Sequence, residues 1–290
     1  MRSAEPKGRK NVSHDGRSDG ANLRRIAFLG FGEAGPVLAK ALRNGCGAEI
    51  AAFDALGKDP AGAELIARRA ADSGAILHAS AAEAVVQADL IISVVTASAA
   101  LSVARSATPA LRAGQVYLDL NSVSPVTKRH VSDVVTPTGA DFVEGVAMDR
   151  VPSRGGRAPI LICGTRSDSC AALLNAAGLN VTAVGSALGA ASGAKLCRSI
   201  ITKGLEALVT EAARASDALG VRESVFSSLS ASFPQLDWPA LADDFAVRMR
   251  KHGRRRSAEM LEAAAMLTDL GLPEELCGAI ARSQKRETQR

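Results

Sequence analysis

Twelve residues, Arg24-Arg25-Ile26-Ala27-Phe28-Leu29-Gly30-Phe31-Gly32-Glu33-Ala34-Gly35, carry the first chemistry in this chain. A short apolar strand runs into GxGxxG, and a helical pattern (Pro36-Val37-Leu38-Ala39-Lys40-Ala41-Leu42) follows at once. Gly30 allows a tight turn, Gly32 lets backbone amides approach a pyrophosphate, and Gly35 lets the helix lie close to the strand. The amides and positive dipole end of that helix then face the phosphates, so Phe31, Glu33 and Ala34 belong to the same cradle. A second strand, Glu49 to Phe53, ends in Asp54, 24 positions after Gly30. That is near the spacing at which a carboxylate reaches the adenosine ribose hydroxyls. The combination implies dinucleotide binding. Asp54 favours NAD, because it accepts from a 2′-hydroxyl and repels a 2′-phosphate, while nearby Lys58 leaves NADP open.

Ligands of an open parallel sheet sit beyond the carboxyl ends of its strands. Val95-Thr96 ends one strand with residues small enough to pass a ribose or nicotinamide. Asp119-Leu120-Asn121-Ser122-Val123-Ser124-Pro125 ends another. Asn121 and Ser122 suit a hydroxyl or carboxylate substrate, although Asn121 and Ser124 equally read as caps of a helix starting near Pro125. Farther on, small residues from Gly185 to Ala194 lead into Lys195, with Ser199 one helical turn later on the same face. A lysine in the first turns opposes the helix dipole and needs another reason to stand there. Beside a ligand its amine becomes a general acid or base when burial and neighbouring positive charge lower its pKa. Taken alone, a lysine on a helix is usually a solvated residue, and only the motifs read together reverse that. His252, next to Gly253 and among Arg248 to Arg256, reads either as a helix C-cap or as a contact to a substrate carboxylate or phosphate.

The elements that position these residues follow from apolar periodicity. From Leu23 the chain alternates short apolar runs with amphipathic segments, the pattern of a parallel sheet with helical crossovers. Strands are expected at 24–29, 48–53, 75–78, 90–95, 116–120, 141–146 and 159–163, with a last one near 180–184. Helices are expected at 34–44, 60–72, 81–87, 126–135 and 168–177. After Gly189 no strand is evident, and helices are expected at 191–219, 221–231, 238–251, 257–270 and 273–284. Turn signals fall at Gly220, Phe233-Pro234, His252-Gly253 and Gly271-Leu272-Pro273. The expected organisation is α/β followed by α: a disordered basic tail (1–22), a doubly wound Rossmann domain (23–188) and an all-helical substrate and dimerisation domain (189–290).

Bulk composition narrows the class. The chain has 290 residues, 47% of them apolar, enough for a full core. The net charge of +5 is concentrated in the polar N-terminal stretch and in Arg248 to Arg256. No aromatic residues interleave with the basic cluster, so nucleic acid is not an expected partner. The N-terminal stretch lacks the apolar core of a signal peptide, and no apolar run approaches a membrane span. Five cysteines without CxxC or zinc spacing fit reduced thiols in a cytoplasmic protein with no metal.

The order GFGEAG, DLNSVSP and AKLCRS resembles the β-hydroxyacid dehydrogenase family, which includes 3-hydroxyisobutyrate, tartronate semialdehyde and 6-phosphogluconate dehydrogenases. The resemblance covers about residues 24–219. It implies an NAD(P)-dependent oxidoreductase acting on a small β-hydroxyacid, with Lys195 as catalytic acid/base and a homodimer formed through the helical domain. The family's D-x-S-T strand end falls on Asp119 to Ser122. Its substrate-contacting asparagine falls on Ser199, and Ala147-Met148-Asp149-Arg150 replaces its V-S-G-G loop, placing Met148 at the pocket. Thr202 stands where 6-phosphogluconate dehydrogenase has a second acid, which argues against a decarboxylating reaction. Two other readings are an imine reductase of the same architecture and a non-catalytic nucleotide sensor whose basic segments bind a partner.

Overall fold

The computed structural model describes residues 23–289; the expected basic tail lies outside the described residues. The first strands and helices are β1 (Arg25–Leu29), α1 (Gly35–Cys46), β2 (Glu49–Phe53), α2 (Pro60–Ser73), β3 (Ala75–Leu77), α3 (Ala81–Val85) and β4 (Leu90–Ser93). Next come α4 (Ala100–Ala107), β5 (Val116–Asp119), α5 (Pro125–Val135), β6 (Asp141–Ala147), α6 (Val151–Arg154), β7 (Pro159–Cys163), α7 (Ser167–Ala176) and β8 (Asn180–Ala183). Four helices complete the chain: α8 (Ala190–Ala218), α9 (Arg222–Ser232), α10 (Trp238–Asp269) and α11 (Glu275–Glu287).

Among the described residues the strands form one eight-stranded sheet in the order β3-β2-β1-β4-β5-β6-β7-β8. The first six strands follow the doubly wound order that reverses between β1 and β4, opening a ligand crevice there. β1 and β4 are buried on both faces, which explains their continuous apolar runs. One core cluster, with Ile26, Phe28, Leu38 and Ile92, fills one face of the sheet; Ala27, Leu29, Ile91 and Tyr117 fill the other. Capping chemistry starts several helices where the sequence allows it. Asp59 accepts from Ala61 N at 3.0 Å ahead of α2, Ser124 from Thr127 N at 3.3 Å ahead of α5, and Asp237 from Ala240 N at 3.1 Å ahead of α10.

Three expectations are corrected. β7 runs antiparallel to β6, because the 11 residues between Ala147 and Pro159 are too short for a helical crossover. α4 was not anticipated in a run of small residues, yet it buries Ala100, Val103, Ala104 and Ala107 at helical spacing. The turn expected at His252-Gly253 is absent, and 238–251 and 257–270 form the single helix α10. Gly253 is there for packing: a Cβ would stand 2.1 Å from Gln284 O of α11. α8, α10 and α11 share a core of Leu196, Met249, Met260, Ala263, Cys277 and Ile280. Burying each large side chain there contributes about 1.5–3 kcal/mol.

Candidate active site

The crevice opens at the turn between β1 and α1. Gly30 has φ +98°, and a Cβ on it would lie 2.5 Å from Val94 O, so only glycine fits where β1 and β4 part. A Cβ on Gly35 would meet Gly30 O at 2.6 Å, which lets α1 begin against the turn. Gly32 instead has nothing within 4 Å, and no side chain caps the N-terminus of α1 after Ala34. Glu33 is exposed beside it. Open space before uncapped helix amides is what a pyrophosphate requires, so the cradle fits a dinucleotide. The Asp54 carboxylate sits against this turn, accepting from Phe31 N at 2.6 Å and Leu56 N at 2.9 Å. Phe31 offers only its backbone, because its ring is buried against Phe28 in the core. Two cations flank this acid: Lys58 lies 5.4 Å from the Phe53 ring centroid, and Arg69 Nη1 donates to Phe31 O at 3.5 Å.

The ends of β4 and β5 are tied together by Asn121. Its Oδ1 accepts from Val95 N at 2.6 Å, its Nδ2 donates to Ser93 Oγ at 2.9 Å, and its backbone N donates to Asp119 Oδ1 at 2.8 Å. Asn121 is buried. The side chain expected to meet substrate is therefore committed to bracing the Val95-Thr96 turn. Thr96 is exposed and shares a 3.3 Å hydrogen bond with Ser98. Beneath the loop, the fully buried Lys128 amine donates to Asp119 O at 2.7 Å and Gly145 O at 3.0 Å, and lies 3.1 Å from Asp119 Oδ1. Three partners for three ammonium protons make this buried charge tolerable.

α8 delivers Lys195. Its first turn is held by the buried Glu144 carboxylate of β6, which accepts from Gly189 N at 2.5 Å and Ser192 N at 2.7 Å. A carboxylate at a helix N-terminus satisfies unpaired amides and suits the dipole. With α8 fixed this way, Lys195 Nζ donates to Ser122 Oγ at 2.6 Å. Burial pulls the Lys195 pKa down to about 8; Glu259 opposes that pull, while Lys203, Lys128 and Arg255 reinforce it. One turn on, Ser199 is buried and its Oγ donates to Glu259 Oε1 at 2.8 Å. Lys203 Nζ donates to Ser199 Oγ at 3.1 Å and lies 3.2 Å from Glu259 Oε2. Burial pushes the Glu259 carboxyl up, but Lys195, Lys203 and the Ser199 hydroxyl outweigh it and hold the group below its usual range. Ser199, expected as a substrate contact, commits its hydroxyl proton to Glu259.

Met148 is half-buried against Val146, Cys163 and Ala191. Arg150 Nη1 lies 3.3 Å from His252 Nε2, joining the loop after β6 to the middle of α10. Partial burial, and then Arg150, Arg255, Arg256 and Lys251, keep the His252 pKa below its usual value. The C-capping reading of His252 falls with the turn. The arginine cluster also divides. Arg256 pairs with Glu206 of α8 and Arg248 with Asp244, while Arg255 is exposed. Sequence reasoning missed Glu259, Glu144 and Lys128. Glu259 stood inside the polar run from His252 to Met260, but a helix continuing through Gly253 was needed to place it two turns from His252 on one face.

Residues 25–185 match the NAD binding domain of 6-phosphogluconate dehydrogenase, and residues 216–286 match a domain of unknown function, DUF1932. A conserved hypothetical protein from Sinorhizobium meliloti 1021 is 38% identical, with 91% of this chain and 88% of that one covered and a TM-score of 0.77. A conserved protein of unknown function, described as structurally similar to 3-hydroxyacid dehydrogenases, is 31% identical over 91% of this chain and 97% of its own, with a TM-score of 0.73. A Mycobacterium tuberculosis 3-hydroxyisobutyrate dehydrogenase is 20% identical over 91% of this chain and 93% of its own; with a TM-score of 0.73 it shares the fold. The glycine turn and these matches agree: the chain belongs to the family of the NAD binding domain of 6-phosphogluconate dehydrogenase, with a DUF1932 domain over residues 216–286.

Proposed function

We propose that this protein is an NAD(P)-dependent oxidoreductase that moves a hydride between the cofactor and the carbinol carbon of a small β-hydroxyacid. The observation that carries the reading is the Lys195 amine on Ser122 Oγ at 2.6 Å, beyond the carboxyl end of β5, with its pKa drawn down to about 8. Gly30, Gly32 and Gly35 with the α1 amides would hold the pyrophosphate, Asp54 the adenosine ribose, and Val95 and Thr96 the nicotinamide side. When bound, the nicotinamide supplies or accepts the hydride. Lys195 in its neutral form takes the hydroxyl proton during oxidation and returns it during reduction; Ser122 orients the amine and the substrate hydroxyl. A pKa near working pH suits both directions. Asp54 supports NAD, and Lys58 with Arg69 beside it gives a 2′-phosphate two cations to meet. Met148, Arg150 and His252 line the approach from the β6 loop and α10, where a substrate carboxylate finds Arg150 and Arg255.

The test is a screen of hydroxy acids with NAD and NADP, followed by Lys195→Ala with the best substrate. Loss of about 10²- to 10⁴-fold in kcat, with NADH affinity kept within about twofold, is expected for a general acid/base. Undiminished turnover removes Lys195 from the chemistry.

A further inference from the structure

Four charged groups act through space on the Lys195 amine, whose own hydrogen bond goes to Ser122 Oγ. Glu259 and Arg255 come from α10, Lys203 from farther along α8, and Lys128 from α5. Of these only Glu259 is negative, and Lys128 is offset by its own partner Asp119. Glu259 is not a wandering surface acid. Its two oxygens are clamped by Ser199 Oγ at 2.8 Å and Lys203 Nζ at 3.2 Å, and only 10% of its side chain is exposed. Lys195, Ser199 and Lys203 succeed one another at four-residue steps on one face of α8, so the clamp is built on the same helical surface as the reacting amine. Ser199 makes this arrangement fit: its short hydroxyl bridges Glu259 and Lys203.

We propose that Glu259 is the positioning residue of Lys195: clamped by Ser199 and Lys203, its carboxylate holds the amine's proton against the surrounding cations. The proposal rests on the reading of Lys195 as the proton carrier. It gives the helical half of the molecule control over the acid/base group of the reaction. Reduction needs the protonated amine and oxidation the neutral one, so Glu259 favours the reductive direction at a given pH.

The test is trace acetylation of the full-length protein with acetic anhydride between about pH 6 and pH 11, read residue by residue by mass spectrometry. Cleavage at Arg198 places Lys195 and Lys203 in separate peptides. Wild-type Lys195 is expected to titrate near pH 8. In Glu259→Gln the midpoint falls by about one pH unit, the scale of one close opposite charge. In Lys203→Met it rises, because a repelling cation is gone and Glu259 is freed towards Lys195. An unmoved or raised midpoint in a folded Glu259→Gln protein overturns the proposal, as does a lowered one in Lys203→Met. If Glu259→Gln does not fold, Glu259→Asp decides: drawing the carboxylate back by one methylene is expected to lower the Lys195 midpoint by a fraction of a pH unit, and an unmoved or raised midpoint overturns the proposal. Turnover of Lys195→Ala is measured in parallel. Retained turnover defeats the reading of Lys195 and leaves the titration result standing; lost turnover with unmoved midpoints defeats the role of Glu259 alone.

Discussion

A half-buried lysine beside other cations is a liability to the fold and an asset to the chemistry. Below about pH 8 the folded and unfolded chains both carry the Lys195 proton, and the buried charge penalises folding in full. Between about pH 8 and the ordinary value of 10.5 the folded chain has released the proton while the unfolded chain keeps it. The unfolded state then binds more protons, so stability rises with pH across that window. Lys195→Met should therefore be more stable than the wild type at pH 7 by on the order of 1–3 kcal/mol, after allowing for partial solvent screening. The advantage should fade as pH climbs towards 10.5, and urea midpoints at several pH values measure it. A gain that stays constant with pH would assign the effect to packing. The same titration predicts that hydroxy-acid oxidation accelerates through pH 8. At this scale the sequence was readable where spacing is local: Gly30, Gly35 and Asp54 stand within one βαβ unit, and Lys195 with Ser199 within one helical turn. Glu259 was not readable as a partner, since it reaches Ser199 from 60 residues away across a helix pair.

Helices and turns use glycine for two different purposes, and two substitutions separate them. Gly253→Ala forces a Cβ to 2.1 Å from Gln284 O, and α10 cannot keep its distance to α11. Overpacking of this kind costs about 1–3 kcal/mol, which chemical denaturation would register, while the cradle of the other half stays intact. Gly32→Ala meets nothing within 4 Å, so its melting temperature should match the wild type. Its methyl group instead enters the space left for the pyrophosphate, and NADH affinity should fall about tenfold, about 1.4 kcal/mol, by fluorescence titration. Equal affinity would place the dinucleotide elsewhere. The strands and most helices follow from apolar runs and amphipathic spacing. What escaped was the choice between a break and a continuation at Gly253. A glycine beside histidine reads as a helix end from local rules, and only the backbone of α11 explains it as a contact. The direction of β7 is likewise a matter of crossover length that composition does not carry.

At the scale of the molecule, the helical half both holds the site and leaves a surface uncovered. Glu262 Oε2 accepts from Ser124 N at 2.7 Å, so α10 grips the loop that carries Ser122, and Arg129 with Asp269 repeats the tie at 2.8 Å. Glu262→Ala should thus raise the substrate KM and lower kcat several-fold while NADH affinity is kept, a split that steady-state kinetics and cofactor titration resolve together. Along the outer side of α8 and at the residue that caps its C-terminus, Ile201, Leu208 and Leu219 are 73%, 64% and 75% exposed. Their separations of 7, 11 and 18 residues bring them to one face of the helix, a stripe about 27 Å long at 1.5 Å per residue. Leu261 of α10 and Leu276 of α11 are also more than half exposed. An exposed apolar stripe of this length has the character of an interface, and the expected homodimer is the prediction it carries. Because it belongs to the same helix as Lys195, a second copy of this chain packing there would also stiffen the segment that presents the amine. Light scattering should then report about twice 29.9 kDa for the wild type. Leu208→Glu, which buries a charge only if the partner is present, should shift the mass towards the single chain. It should also lower turnover more than cofactor affinity, since α8 would lose its lateral support. A wild-type protein that runs as one chain at tens of micromolar would leave the stripe to a different partner.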